Sequence, residues 1–125
     1  VARFLGAWLV MWLIAGAAAA LPVSRCVNLS NALEADGPEG WWGYTIREDH
    51  LKKIAAAGFD TVRLPVRFSL NWDGRIDPEL LARVDQVVAQ ARGAGLQVIV
   101  DLHHFTELAD DPDAHAATFV AIWDE

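Results

Sequence analysis

Cysteine, methionine and tyrosine each occur once in these 125 residues. With Cys26 alone, no internal disulfide can form, even in an oxidising compartment. Arg25 stands directly before Cys26, where a lipid-attachment sequence needs a small residue, so Cys26 is not read as a lipid anchor. Positive charge is also scarce. Ten Lys and Arg face 17 Asp and Glu, for a net charge of −7 with histidine neutral. Phosphate contacts need Lys and Arg, so nucleic acid is excluded as an expected partner. An anionic lipid surface is excluded on the same ground. Nine glycines and five prolines among 54 % apolar residues rule out a disordered composition. The first βα turn lacks a G-x-G-x-x-G stretch, so no dinucleotide site is expected. No nucleophile elbow supports a Ser/His/Asp triad. No repeat, low-complexity run or interdomain linker is visible.

The apolar content is concentrated first at the start. VARFLGAWLVMWLIAGAAAALP has Arg3, an apolar run from Phe4 to Ile14, then small residues to Ala20. That order is the one a secretory signal peptide needs, with cleavage after Ala18-x-Ala20. The alternative, a retained membrane anchor, needs ~20 strongly apolar residues, and this run fades into alanines. Residues 1–20 are therefore read as a signal peptide, and the rest as secreted, extracellular or periplasmic. Its removal takes away Arg3 and leaves the remainder more acidic.

From residue 21 on, strand and helix patterns alternate three times. Arg25–Leu29 is the first strand, followed by a turn rich in Gly, Asp and Trp (EADGPEGWWGY). Thr45-x-x-Glu48 reads as a capping box opening a helix to about Ala57, with Gly58 at its end. Asp60–Leu64 is the second strand, stopped by Pro65. Asp77 and Pro78 are a good N-cap and first helical residue for a second helix to about Ala94, ended by Gly95. Leu96–Leu102 is the third strand, and Asp111-Pro112 opens a third helix running toward Trp123. Near-continuous Val/Ile/Leu strands joined through helices mean a parallel sheet buried on both faces. An open doubly wound sheet and a closed eight-stranded barrel both use that unit.

In such sheets function sits at the carboxyl ends of the strands. The polar residues there are Asn28 and Asn31, then Arg63, then Asp101, His103 and His104. Strand alternation puts Asp101 with His103 on one side, and Leu102 with His104 on the other. Asp101 and His103 either form part of a site or simply satisfy one another in the interior. Arg63, flanked by apolar residues, needs an anionic partner. That partner is a catalytic carboxylate in a functional reading, and Asp60 or Asp101 in a structural one. Asp101, His103 and His104 are metal-ligand types, but adjacent histidines on a strand point apart, so no metal is expected. Trp41, Trp42 and Trp72 lie in loops, where they either plug the fold or expose faces that stack on sugar rings.

Several collinear blocks carry a resemblance: VNLSNALEA, EGWWGYTI, AGFDTVRLPVRFS, IDPELLARVDQVVAQARGAGLQVIVDLHHFTEL and DPDAHAATFVAIW. Together they resemble the N-terminal third of glycoside hydrolase family five, particularly its endo-β-1,4-glucanases. The resemblance implies a partial (β/α)₈ TIM barrel of about three of eight βα units, and hydrolysis of β-1,4-linked glucan or sometimes mannan. It implies that Arg63 supports the nucleophile, that His103 and His104 line the sugar subsite beside the cleaved bond, and that Asn31 and Glu34 reach the substrate. Trp41 and Trp42 are candidates for sugar stacking. Ser30 and Cys26 stand where the family usually has glycine, and Phe68 where it often has tryptophan.

The resemblance puts the acid/base glutamate after a fourth strand and the nucleophile at the end of a seventh. Neither Glu34, Glu107 nor Asp101 fills those roles, so no catalytic residue is assigned, and no cofactor is expected. The expectation is a signal peptide over 1–20 and the N-terminal part of a barrel over 21–125. Its partner is a β-linked polysaccharide, and it is inactive alone and prone to self-association through an open sheet edge. Two rivals are a non-catalytic carbohydrate-binding fragment and a complete small doubly wound domain. A β-mannanase-type parent is the alternative within the family.

Overall fold

The computed structural model describes residues 22–125, so the expected signal segment lies outside the described residues. These residues form three strands and four helices, in the order β1 (Cys26–Asn28), α1 (Glu48–Ala56), β2 (Thr61–Val66), α2 (Pro78–Gly93), β3 (Gln97–Leu102), α3 (Thr106–Asp110) and α4 (Pro112–Asp124). The strands lie in the order β1-β2-β3 and all pairs are parallel. A barrel and one half of a doubly wound sheet both begin this way, so the order alone does not separate them.

The caps expected of α2 and α4 are in place. The Asp77 carboxylate accepts the Glu79 amide at 2.9 Å, and that of Asp111 accepts the Ala114 amide at 3.1 Å. Proline follows each cap, where its missing N–H costs no helical bond. Gly58 and Gly95 each take φ +83° just past α1 and α2, a left-handed turn that a side chain would oppose.

Two local expectations are overturned. The Thr45–Glu48 capping box does not form: α1 begins at Glu48, its N-cap is Arg47, and no side chain caps it. The Ile46 amide instead donates to Glu39 Oε1 at 2.8 Å, and the Ile46 carbonyl accepts from Arg83 Nη2 at 2.6 Å. These tertiary bonds hold the chain extended past Thr45. Pro65 does not stop β2 either, which runs on to Val66. The Leu29 amide donates to the Arg63 carbonyl at 2.9 Å, and the His103 amide to the Val66 carbonyl at 2.8 Å. Alternation therefore turns the Pro65 backbone toward β1, which has already ended at Asn28. The missing N–H breaks no ladder bond. The short α3 has too few residues for an apolar stripe to reveal it.

Val62, Leu64 and Val66 on one face of β2 are fully buried, and cluster with Leu51 of α1 and with Val87 and Ala91 of α2. Alternation puts Asn28, Arg63, Ile99 and Asp101 on the opposite face. Asn28 pairs in register with Arg63, Arg63 with Ile99, and Pro65 with Asp101. At the amino end of the sheet, Asp60 ties the first two strands together. Its carboxylate accepts the amides of Ser24 and Arg25 at 3.0 Å each, and the Thr61 hydroxyl at 2.7 Å. The Thr61 hydroxyl first, and the Arg25 amide next, hold the Asp60 carboxyl below the usual carboxylate range.

Candidate functional site

Register brings the polar strand ends together at the carboxyl rim. Arg63 is the hub. Its Nη2 lies 2.5 Å from Asp101 Oδ2 and 3.3 Å from His103 Nδ1, and its Nη1 donates to Asn28 Oδ1 at 2.8 Å. The partner is thus Asp101, and Asp60 is engaged at the other end of the sheet. The side chains of Arg63, Asp101 and His103 are each about one-third exposed, at 34 %, 31 % and 33 %. They are withdrawn enough to be held, and open enough to meet a ligand.

His103 Nδ1 stands 2.8 Å from Asp101 Oδ2. A carboxylate only accepts, so this shorter contact puts the proton of a neutral ring on Nδ1, and the 3.3 Å approach of Arg63 Nη2 to that nitrogen is then no hydrogen bond. Nε2 is then left to accept a hydrogen from a ligand hydroxyl. The arrangement can bind and orient a polyhydroxylated molecule. It holds the Arg63 fork, whose positive charge favours an ionised carboxylate nearby.

His104 departs from the alternation expected of a strand. It lies beyond Leu102, takes φ +56°, and brings its ring within 4.2 Å of the His103 ring, centroid to centroid. The two imidazoles are therefore neighbours and do not point apart. The Trp42 ring approaches His104 edge-on at 6.4 Å. Trp42 is 42 % exposed and Trp41 64 % exposed, so neither plugs the fold. Trp72 is half-buried against the core cluster instead.

The loop carrying Trp41 and Trp42 is tethered by two ion pairs that sequence reasoning missed. Asp36 pairs with Arg67, and Glu39 pairs with Arg83 at 2.7 Å. Both link residues 31 to 44 positions apart, with no local spacing signal to expose them. Tyr44 closes the loop by stacking on His50 at 5.5 Å, with its hydroxyl 3.2 Å from His50 Nδ1. Burial pushes the Tyr44 phenol above its ordinary value.

The structure does not gather Asn31 and Glu34 into the Arg63 cluster's hydrogen bonds. Asn31 is exposed at φ +65°, a left-handed turn that asparagine tolerates better than most residues. Glu34 is only 3 % exposed. Its carboxylate accepts the Asn31 amide at 2.5 Å and the Ala32 amide at 3.0 Å. Glu34 shapes the loop after β1 from inside.

Comparison with known proteins places this geometry. The cellulase model, glycosyl hydrolase family 5, matches residues 26–125. Endoglucanase H of Acetivibrio thermocellus is 34 % identical over 106 residues, which cover 78 % of this chain and 11 % of that protein. Thermotoga maritima Cel5A solved with mannotriose is 38 % identical with a TM-score of 0.75, over 81 % of this chain and 34 % of that one. The same enzyme's mutant form with cellobiose matches at 38 % identity and a TM-score of 0.75, over 81 % of this chain and 36 % of that one. The chain thus spans about a tenth of the endoglucanase and about a third of Cel5A. The likeness decides between the two architectures: the three strands and their helices are part of a (β/α)₈ barrel. On the family match and these relatives together, the chain belongs to the cellulase family, glycosyl hydrolase family 5.

Proposed function

We propose that these residues form part of the substrate-binding rim of a secreted retaining β-glycanase acting on β-1,4-linked glucan. The observation that carries the reading is the Arg63–Asp101–His103 cluster at the carboxyl ends of parallel strands, with the Trp42 ring edge beside His104. Trp41 and Trp42 offer aromatic faces for sugar rings, His103 and His104 meet ring hydroxyls, and Asn31 lies exposed on the loop after β1. Residues 1–20 fit a secretory signal and support secretion.

A retaining glycosidase needs one carboxyl to protonate the leaving oxygen and a second, ~5–5.5 Å away, to attack the anomeric carbon. Within the cluster described, Asp101 is the sole carboxylate, and Arg63 and His103 already engage it. Arg63 and the histidines position and tune; they cannot replace either carboxyl. The 125-residue chain alone is therefore proposed to bind but not cut. The mannotriose complex of Cel5A favours a second reading, in which the substrate is a β-mannan.

Titrating the 125-residue chain with cellotriose and with mannotriose tests binding, and reducing-sugar release from soluble glucan tests cutting. Saturable binding with no hydrolysis is expected. Failure of both oligosaccharides to bind overturns the rim assignment, and hydrolysis overturns the proposal that this chain alone does not cut.

A further inference from the structure

Beyond the Arg63 cluster, a cleft of about 260 Å³ opens between the loop after β2 and the start of α4. Its walls are Ser69, Trp72, Phe105, Glu107, His115 and Thr118. We propose that this cleft is an accessory carbohydrate site that holds one pyranose ring. The class of ligand rests on the glycanase reading; the site itself rests on its own walls.

The volume lies just under the range of about 300–1,000 Å³ of pockets for drug-sized ligands, which suits a single ring. Two aromatic side chains form part of the lining, and each packs partly against the core cluster, so each is held in place. Phe105 is further fixed by an edge contact to His115, with ring centroids 6.0 Å apart. Rigid aromatic rings stack on the apolar faces of a sugar with little loss of entropy.

The polar complement is equally specific. Ser69, Trp72, Glu107, His115 and Thr118 carry hydroxyl, indole, carboxylate and imidazole groups. None of these side chains makes a hydrogen bond among the described residues. Both kinds of partner are present: the indole N–H only donates, the carboxylate only accepts, and the two hydroxyls and the imidazole can do either. A neutral polyhydroxylated ring, whose hydroxyls both donate and accept, pairs with all of them. Phe105 directly follows His104, so the cleft adjoins the rim without sharing its residues.

The test uses the whole 125-residue chain, labelled with ¹⁵N and titrated with cellotetraose. Indole N–H signals are assigned with Trp72→Phe and Trp42→Phe. Both the Trp72 and the Trp42 signals should shift. Glu107→Gln and Thr118→Ala, at positions free of structural bonds, should each weaken the Trp72 isotherm about fivefold and leave that of Trp42 unchanged. A Trp42 signal that moves while Trp72 stays fixed overturns the accessory site and leaves the rim reading intact. A Trp72 shift that vanishes in Trp42→Ala is relayed from the rim and also overturns the site. If neither signal moves, both readings fall. A Trp72 shift with tetramethylammonium and none with cellotetraose assigns a cation site and overturns the proposal.

Discussion

Asp101 and His103 leave β3 two residues apart, and strand alternation sets them on the same side, 2.8 Å from Oδ2 to Nδ1. The same carboxylate oxygen holds Arg63, whose partner lies 38 positions away. One oxygen therefore fixes both a ring tautomer and a guanidinium fork.

Asp101→Asn should free both. The ion pair is about one-third exposed on each side, so its loss should cost only about 1 kcal/mol in urea unfolding. The His103 ring should change more, because the amide can donate to Nδ1 and shift its proton to Nε2. The ¹⁵N shifts of the His103 ring report this directly; a ring protonated at Nε2 already in the parent chain contradicts the assignment.

Glu34→Ala should be more damaging, although Glu34 carries no role in the Arg63 cluster. It strips the amides of Asn31 and Ala32 of their acceptor in a loop where Glu34 is 3 % exposed. Leaving the buried Ala32 donor unpaired should cost about 2 kcal/mol. A variant as stable as the parent would show that the loop relaxes to water.

Helix caps supply a paired comparison. Asp77→Ala should lose about 1 kcal/mol, the usual cost of an N-cap. Thr45→Ala should change stability by less than about 0.5 kcal/mol, since Thr45 caps nothing. Equal losses in the two variants would restore the capping box.

Asp60 links stability to acidity. Its folded-state carboxyl is held below the ordinary range, so it stabilises the fold at and above the unfolded value near 4. That contribution is lost as pH falls from there through the lowered folded value. Asp60→Asn should flatten this part of the urea midpoint curve below about pH 4. A variant with the parent's acid slope assigns the slope to other carboxyls.

Phe119, Val120 and Trp123 on α4 are 37 %, 54 % and 48 % exposed. A contiguous apolar face of this kind drives association. Sedimentation should show the 125-residue chain forming concentration-dependent oligomers, and Val120→Lys should reduce them. A monomer throughout the micromolar range contradicts this.

Short-range pattern was enough to read the alternation of elements, the caps at Asp77 and Asp111, and the delivery of Asn28, Arg63, Asp101 and His103 to one rim. These follow from periods of two and 3.6 residues and from local capping chemistry, which act over a few positions. The remaining features came from contacts made only in the folded chain. Those contacts chose Asp101 over Asp60 for Arg63, because register sets Pro65 beside Asp101. They turned His104 back onto His103, buried Glu34 beneath its own loop, and took the Ile46 amide for Glu39 before a capping box could form. Each of those outcomes depends on packing or loop closure, or on a partner many positions away, and the local pattern of side chains carries no record of either.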